Sequence, residues 1–164
     1  MEKEMEFFEA VSQVIRKSFV FKGRARRKEF WSWALFSALF NVVVTVAVMM
    51  ISSSETVQAC VSLLLALLMF FPGLSVAVRR LHDVERSGWW LGGYYIVSFV
   101  FLLILASLGL DNLEGGATGT TIVAGALSLV FILTALIWAI VMLVWDFTEG
   151  TNGPNKYGED PKRD

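Results

Sequence analysis

Four long apolar runs, divided by short polar stretches, set the pattern of the chain. They cover residues 30–51, 57–78, 88–110 and 121–145, and none contains Asp, Glu, Lys, Arg or His. The first has 22 residues; at ~1.5 Å per residue a helix of that length covers ~33 Å, enough for a hydrocarbon core of ~30 Å. The other three are at least as long. The pattern predicts an all-α membrane fold with four transmembrane helices over 30–145. Pro72-Gly73 lies near the end of the second run and is expected to kink or loosen its last turns.

A different period precedes the first run. Between Met5 and Val20, Phe7, Phe8, Val11, Val14, Ile15 and Phe19 recur at three- and four-residue spacing, with Glu9, Gln13, Arg16 and Lys17 opposite them. This predicts an amphipathic helix too short and polar to span. It can lie among lipid headgroups or pack on the protein's own face, and the pattern favours neither. Gly23 ends it. The region 1–29 is therefore read as an amphipathic helix plus a basic motif.

The polar connections differ sharply in charge. Eight cations precede the first run, three (Arg79, Arg80, Arg86) lie between the second and third, and three follow the fourth, which accounts for all 14 in the chain. The connections 52–56 and 111–120 have none. By the positive-inside rule both termini are cytoplasmic. Trp31, Trp33, Trp89, Trp90 and Trp145 fall at the same boundary, as an interfacial aromatic belt would place them. The acidic start, with Glu2, Glu4, Glu6 and Glu9, is unlike a cleavable signal peptide.

Composition agrees with this pattern. The chain of 164 residues is 55% hydrophobic, with a mean hydropathy of +0.61, above the roughly 45–50% apolar usage of soluble domains. Its one cysteine, Cys60, rules out an internal disulfide and is expected to be a packed thiol. One histidine and one cysteine supply too few ligands for a zinc site. No cofactor-binding or hydrolase motif is present, and nothing points to nucleic acid. Uncharged spans weigh against a proton-driven pump. Asn41, Ser37, Thr45, Ser62, Ser98, Ser128 and Thr134 are read as interhelical hydrogen-bonding groups.

All ionisable density thus gathers at one face, in three segments. They are FKGRARRKEFW (21–31), RRLHDVERSGWW (79–90) and the tail from Asp146, whose EGTNGPNKYGEDP is rich in turn formers. The candidate cluster is Arg24, Arg26, Arg27, Glu29, Arg79, Arg80, His82, Asp83, Arg86 and Asp146. Its arginines can pair with Asp83, Glu85, Glu29, Asp146 or Glu149 in a self-contained lattice, or grip the phosphate of a lipid or ligand. Both uses are physically sound. His82-Asp83 could form a general-base dyad, although a histidine fixed near a helix end is commoner. Tyr157 is expected to anchor the tail on the inner face.

These three segments, in this order and with spans between them, resemble the signature blocks of the small bacterial inner-membrane proteins of domain of unknown function 805 (DUF805). The likeness runs from about Phe19 to Pro161. It implies a four-helix bundle in the inner membrane without an established activity, and it supplies no catalytic residues. The resulting expectation is a non-enzymatic membrane protein whose cytoplasmic face binds anionic lipid or a protein partner, with homo-oligomerisation open. The alternative is a small oligomeric transporter or channel. The tail, 146–164, is expected to be cytoplasmic.

Overall fold

The structure, a computed structural model, describes residues 5–107 and 119–162. Among these the chain forms five helices: α1 (Phe7–Arg16), α2 (Arg27–Ile51), α3 (Glu55–Asp83), α4 (Trp89–Ser107) and α5 (Gly119–Phe147). The last four are long and apolar enough to cross a membrane. The end of the third predicted span, most of the connection 111–120, the acidic Glu2 and Glu4, Lys3 and Arg163 lie outside the described residues. The helices divide into two compact units, one built from α1–α3 with the tail and the other from α4 and α5.

In the first unit, α1 packs against α2 and α3. Ala10, Val11 and Val14 are buried, and Val11 and Val14 share a cluster with Ala25, Trp33 and Val76, with Phe7, Phe30, Phe36 and Met69 packed round it. The predicted apolar face of α1 is thus divided: Val11 and Val14 point inward, while Phe8, Ile15 and Phe19 stay exposed. Ser75 fixes the end of α1 by donating its hydroxyl to the carbonyls of Lys17, 2.6 Å, and Val20, 2.8 Å. Gly23, at φ +84°, then turns the chain toward α2, a conformation that costs glycine little.

Several expectations are corrected here. α3 does not end at residue 78: it is helical through Pro72 and on to Asp83, because the charged side chains of its last turns are buried and paired rather than solvated. Arg79 to Asp83 is therefore helix, and the turn is confined to the residues after it. Trp33 is not part of a belt but lies in the core, 5% exposed. Cys60 is exposed rather than packed. Four of the groups expected to bond between helices bond within their own: Ser37 donates to Ala34, Asn41 to Ser37, Ser98 to Tyr94, and Thr134 to Val130 and Phe131. A short polar side chain satisfies itself most locally on the preceding turn.

In the second unit, aromatic rings join α4 to α5. Phe101 and Phe131 stack at 4.0 Å between centroids, and Trp90 meets both Trp138 and Trp145 at 5.1 Å. Such pairs add directional attraction to apolar burial.

Candidate functional site

The three polar segments, apart from Trp89, Trp90, Asp146 and Phe147, belong to the first unit and converge at the start of α2 and the end of α3. Local chemistry prepares each of them. Glu29, in the first turn of α2, caps the helix by accepting from the backbone N–H of Arg26 at 3.0 Å. The last turn of α3 closes with Glu85 N–H donating to His82 O at 3.1 Å and Arg86 N–H to Leu81 O at 2.8 Å. This is a Schellman closure with Glu85 in the left-handed position, φ 59°. In the tail, Asn155 and Gly158 exchange backbone hydrogen bonds, and the Asn155 side chain accepts from Tyr157 N–H at 2.9 Å, forming an Asx turn.

Asp83 is the hub. Its Oδ1 accepts from Arg24 Nε at 2.8 Å and its Oδ2 from Arg80 Nη1 at 2.5 Å, with all three side chains shielded from solvent. Arg24 also donates Nη1 to Gly153 O, 2.6 Å, and Nη2 to Thr151 O, 2.5 Å. Arg80 Nη2 reaches Thr148 O. Thr151 N–H donates to Asp83 O at 2.9 Å. Gly150 is required by close approach: a Cβ there would stand 1.9 Å from Asp83 Oδ2. Two arginines and one aspartate thus bind the tail to α3 and to the segment before α2. Buried charges are tolerable only when paired and hydrogen-bonded in this way.

A second pair lies beside the first. Arg79 Nη1 donates to Glu29 Oε2 at 3.2 Å, both side chains at most 2% exposed, and Arg79 O accepts from Ala25 N–H at 3.1 Å. The other Arg79 donors, Nε and Nη2, are buried and have no hydrogen-bond partner. Arg26 donates Nε to Pro161 O. Asp160, 6% exposed, accepts from Gly153 N–H and Lys162 N–H at 2.9 and 3.0 Å. The Lys162 and Gly153 amides hold its carboxyl below the usual aspartate range, with Arg24 adding a smaller effect in the same direction.

His82 is not a dyad partner of Asp83. Its Nδ1 lies 3.1 Å from Gly23 O; a carbonyl only accepts, so Nδ1 carries the proton. Its ring stacks on Tyr157 at 4.0 Å and 5°, and its carbonyl accepts from Asn155 Nδ2 at 3.0 Å. Tyr157 therefore rests on an imidazole. Arg27 forms an exposed pair with Glu149 at 2.8 Å. Among the candidate residues, Arg24, Arg26, Arg27, Glu29, Arg79, Arg80, His82 and Asp83 come together, and Arg86 follows the helix end. Asp146 belongs to α5, in the other unit. Ser75, Thr151 and Asp160 complete the network without having been singled out from sequence. For the last two the signal was present, in the turn-rich EGTNGPNKYGEDP stretch.

A cavity of about 370 Å³ opens next to this network. One wall is the polar face of α1, including Glu9, Gln13 and Lys17, and the others include Lys22, Arg26, Glu29, Arg79 and Glu159. Five cations and three carboxylates line it.

The same segments carry the likeness to known proteins. The chain is 33% identical to inner membrane protein YhaI of Escherichia coli strain K12 over 149 residues, 90% of this chain and 92% of that one. It is 26% identical to inner membrane protein YhaH of the same strain, covering 92% and 93%. Likeness to the uncharacterized protein YiiR of that strain reaches 32%, covering 87% and 86%. No solved structure gives a significant match. Residues 18–159 match the family described as protein of unknown function, DUF805, and they take in the first two polar segments, the four spans and most of the third segment. The chain belongs to the DUF805 family.

Proposed function

We propose that the chain is a non-enzymatic protein of the bacterial inner membrane, with both termini in the cytoplasm, whose cytoplasmic cap binds anionic lipid headgroups. The observation that carries this reading is the cavity beside Arg79, a net cationic recess at the level where the spans α2 and α3 become charged. Anionic lipid phosphates lie at that depth in a cytoplasmic leaflet. The orientation rests on the cations, all of which belong to the face that the positive-inside rule assigns to the cytoplasm. The location is supported by the names of YhaI and YhaH as inner membrane proteins.

The exposed side of α1 fits the same placement. Phe8 and Phe19 are 77% and 73% exposed, and the Phe19 ring lies 5.1 Å from Phe71 of α3. The apolar surface of the α1 region is therefore continuous with that of a span. It extends the lipid-facing surface into the headgroup layer, with the polar face of α1 turned to the cavity.

Native mass spectrometry of the full chain released from a neutral detergent tests the reading. Phosphatidylglycerol adducts should outlast phosphatidylcholine adducts as collision energy rises. Equal retention of the two lipids would contradict it.

A further inference from the structure

We propose that the cap cavity is a phosphate seat, in which the Nε/Nη2 edge of Arg79 grips two oxygens of a phosphate group carried by a small polar body. This rests on the lipid reading above and names the chemistry of the same site. Three observations lead to it.

Arg79 differs from its neighbours in how its donors are used. Arg24 spends all three nitrogens, on Asp83, Gly153 O and Thr151 O. Arg80 spends Nη1 and Nη2 on Asp83 and Thr148 O. Those two close the structural lattice. Arg79 gives only Nη1 to Glu29, leaving Nε and Nη2 without a partner although buried. These two nitrogens form the parallel N–H edge that matches two oxygens of a phosphate. Burying two N–H donors without acceptors costs free energy, which an anion meeting that edge offsets.

Charge supplies the second observation. The cavity holds five cations against three carboxylates. Asp83 meets the Arg24 charge directly at 2.8 Å and Asp160 lies within its influence, so the cationic excess rests on the lysines. Lys17 and Lys22 pair with no carboxylate among the described residues. A carboxylate ligand would satisfy the Arg79 edge alone. A phosphate has further oxygens to meet the two lysines on other walls, and it carries the charge to match them.

Volume is the third. About 370 Å³ falls in the range of small-molecule sites, roughly 300–1,000 Å³, and leaves room for a polar body beyond the phosphate itself. That body is a glycerol headgroup if the source is lipid, or a soluble phosphorylated molecule if it is not.

The test uses the full chain in neutral micelles titrated calorimetrically with inorganic phosphate, and in phosphatidylcholine nanodiscs with and without phosphatidylglycerol, whose effect on the unfolding midpoint is read. The variants are Arg79→Lys, which keeps a cation for Glu29 but removes the two-nitrogen edge, and the double change Lys17→Ala with Lys22→Ala, which leaves the buried pairs intact. Wild type should bind phosphate, and each variant should lose at least tenfold in affinity together with the phosphatidylglycerol-dependent rise in midpoint. Phosphate binding that depends on these residues, without any phosphatidylglycerol effect, keeps the seat and overturns the lipid reading, assigning the site to a soluble phosphorylated molecule. A phosphatidylglycerol effect that both variants retain keeps the lipid reading and overturns the seat. No binding of either probe overturns both. If Arg79→Lys fails to fold, the lysine double variant decides alone.

Discussion

Arg24 and Asp83, 59 residues apart, meet through an Nε–Oδ1 hydrogen bond of 2.8 Å with both side chains shielded from solvent. The same carboxylate holds Arg80, so one aspartate anchors two guanidinia. Removing it leaves two buried cations, which is far costlier than never having built the pair. Asp83→Ala should therefore destabilise the protein by about 3–5 kcal/mol. Arg27→Ala, which breaks the exposed pair with Glu149, should change stability by no more than about 1 kcal/mol. Thermal unfolding of the two variants in the same detergent checks the contrast, and equal losses would contradict it.

Gly150 offers a steric test of the same hub. An added Cβ would lie 1.9–2.7 Å from the three carboxyl atoms of Asp83. The end of a side chain usually moves aside, but this one is held by Arg24 and Arg80. Gly150→Ala should cost about 1–3 kcal/mol through overpacking, and it should expose the tail to protease sooner than in wild type. An unchanged cleavage rate would mean that the tail is not held through Asp83.

Acid should release the tail by a separate route. Asp160 is held below its ordinary value by the Lys162 and Gly153 amides. A carboxyl whose folded pKa is depressed stabilises the fold fully above its unfolded value, here 3.8, and loses that contribution as pH falls through the lower folded value. Stability from this group should thus be flat from pH 7 to about 5 and fall below 4. Asp160→Asn should flatten that part of the profile. Fluorescence of a probe on the tail, followed against pH in both proteins, measures it.

Glu85 sits in the left-handed region at φ 59°, which costs a residue with a Cβ ~1–2 kcal/mol. Glycine there avoids that cost but yields ~0.5–1 kcal/mol of unfolded-chain freedom. Glu85→Gly should raise stability by up to about 1 kcal/mol, whereas a β-branched residue should lower it. A loss with glycine would mean that the Glu85 side chain contributes more than its backbone costs.

How far these features could be read from sequence depends on the range of the interactions that create them. Spans are legible because lipid demands long runs of apolar residues, and each of α2–α5 lies within a few residues of its expected start. The end of α3 was not legible: Arg79, Arg80 and Asp83 read as a charged turn, and the distant partners Glu29, Thr148 and Arg24 bury them as helix. Glu29 and Asp83 could be named as anions for the arginines, but nothing local assigns Arg79 to the first and Arg24 to the second. Ser75 looked like one more small polar residue in an apolar run, yet it fixes α1. Gly150 read as one turn former among several, and its actual constraint is the carboxylate beside it. Trp33 carried the signature of an interfacial ring and is buried because α1 covers it.

The most direct measurement is a structure of the full chain in nanodiscs containing phosphatidylglycerol. The expected result is phosphate density in the cavity, with oxygens about 2.7–2.9 Å from Arg79 Nε and Nη2 and the Arg24–Asp83–Arg80 lattice unchanged behind it. A cavity without an anion, with those two Arg79 nitrogens turned onto a carboxylate of the protein itself, would contradict it.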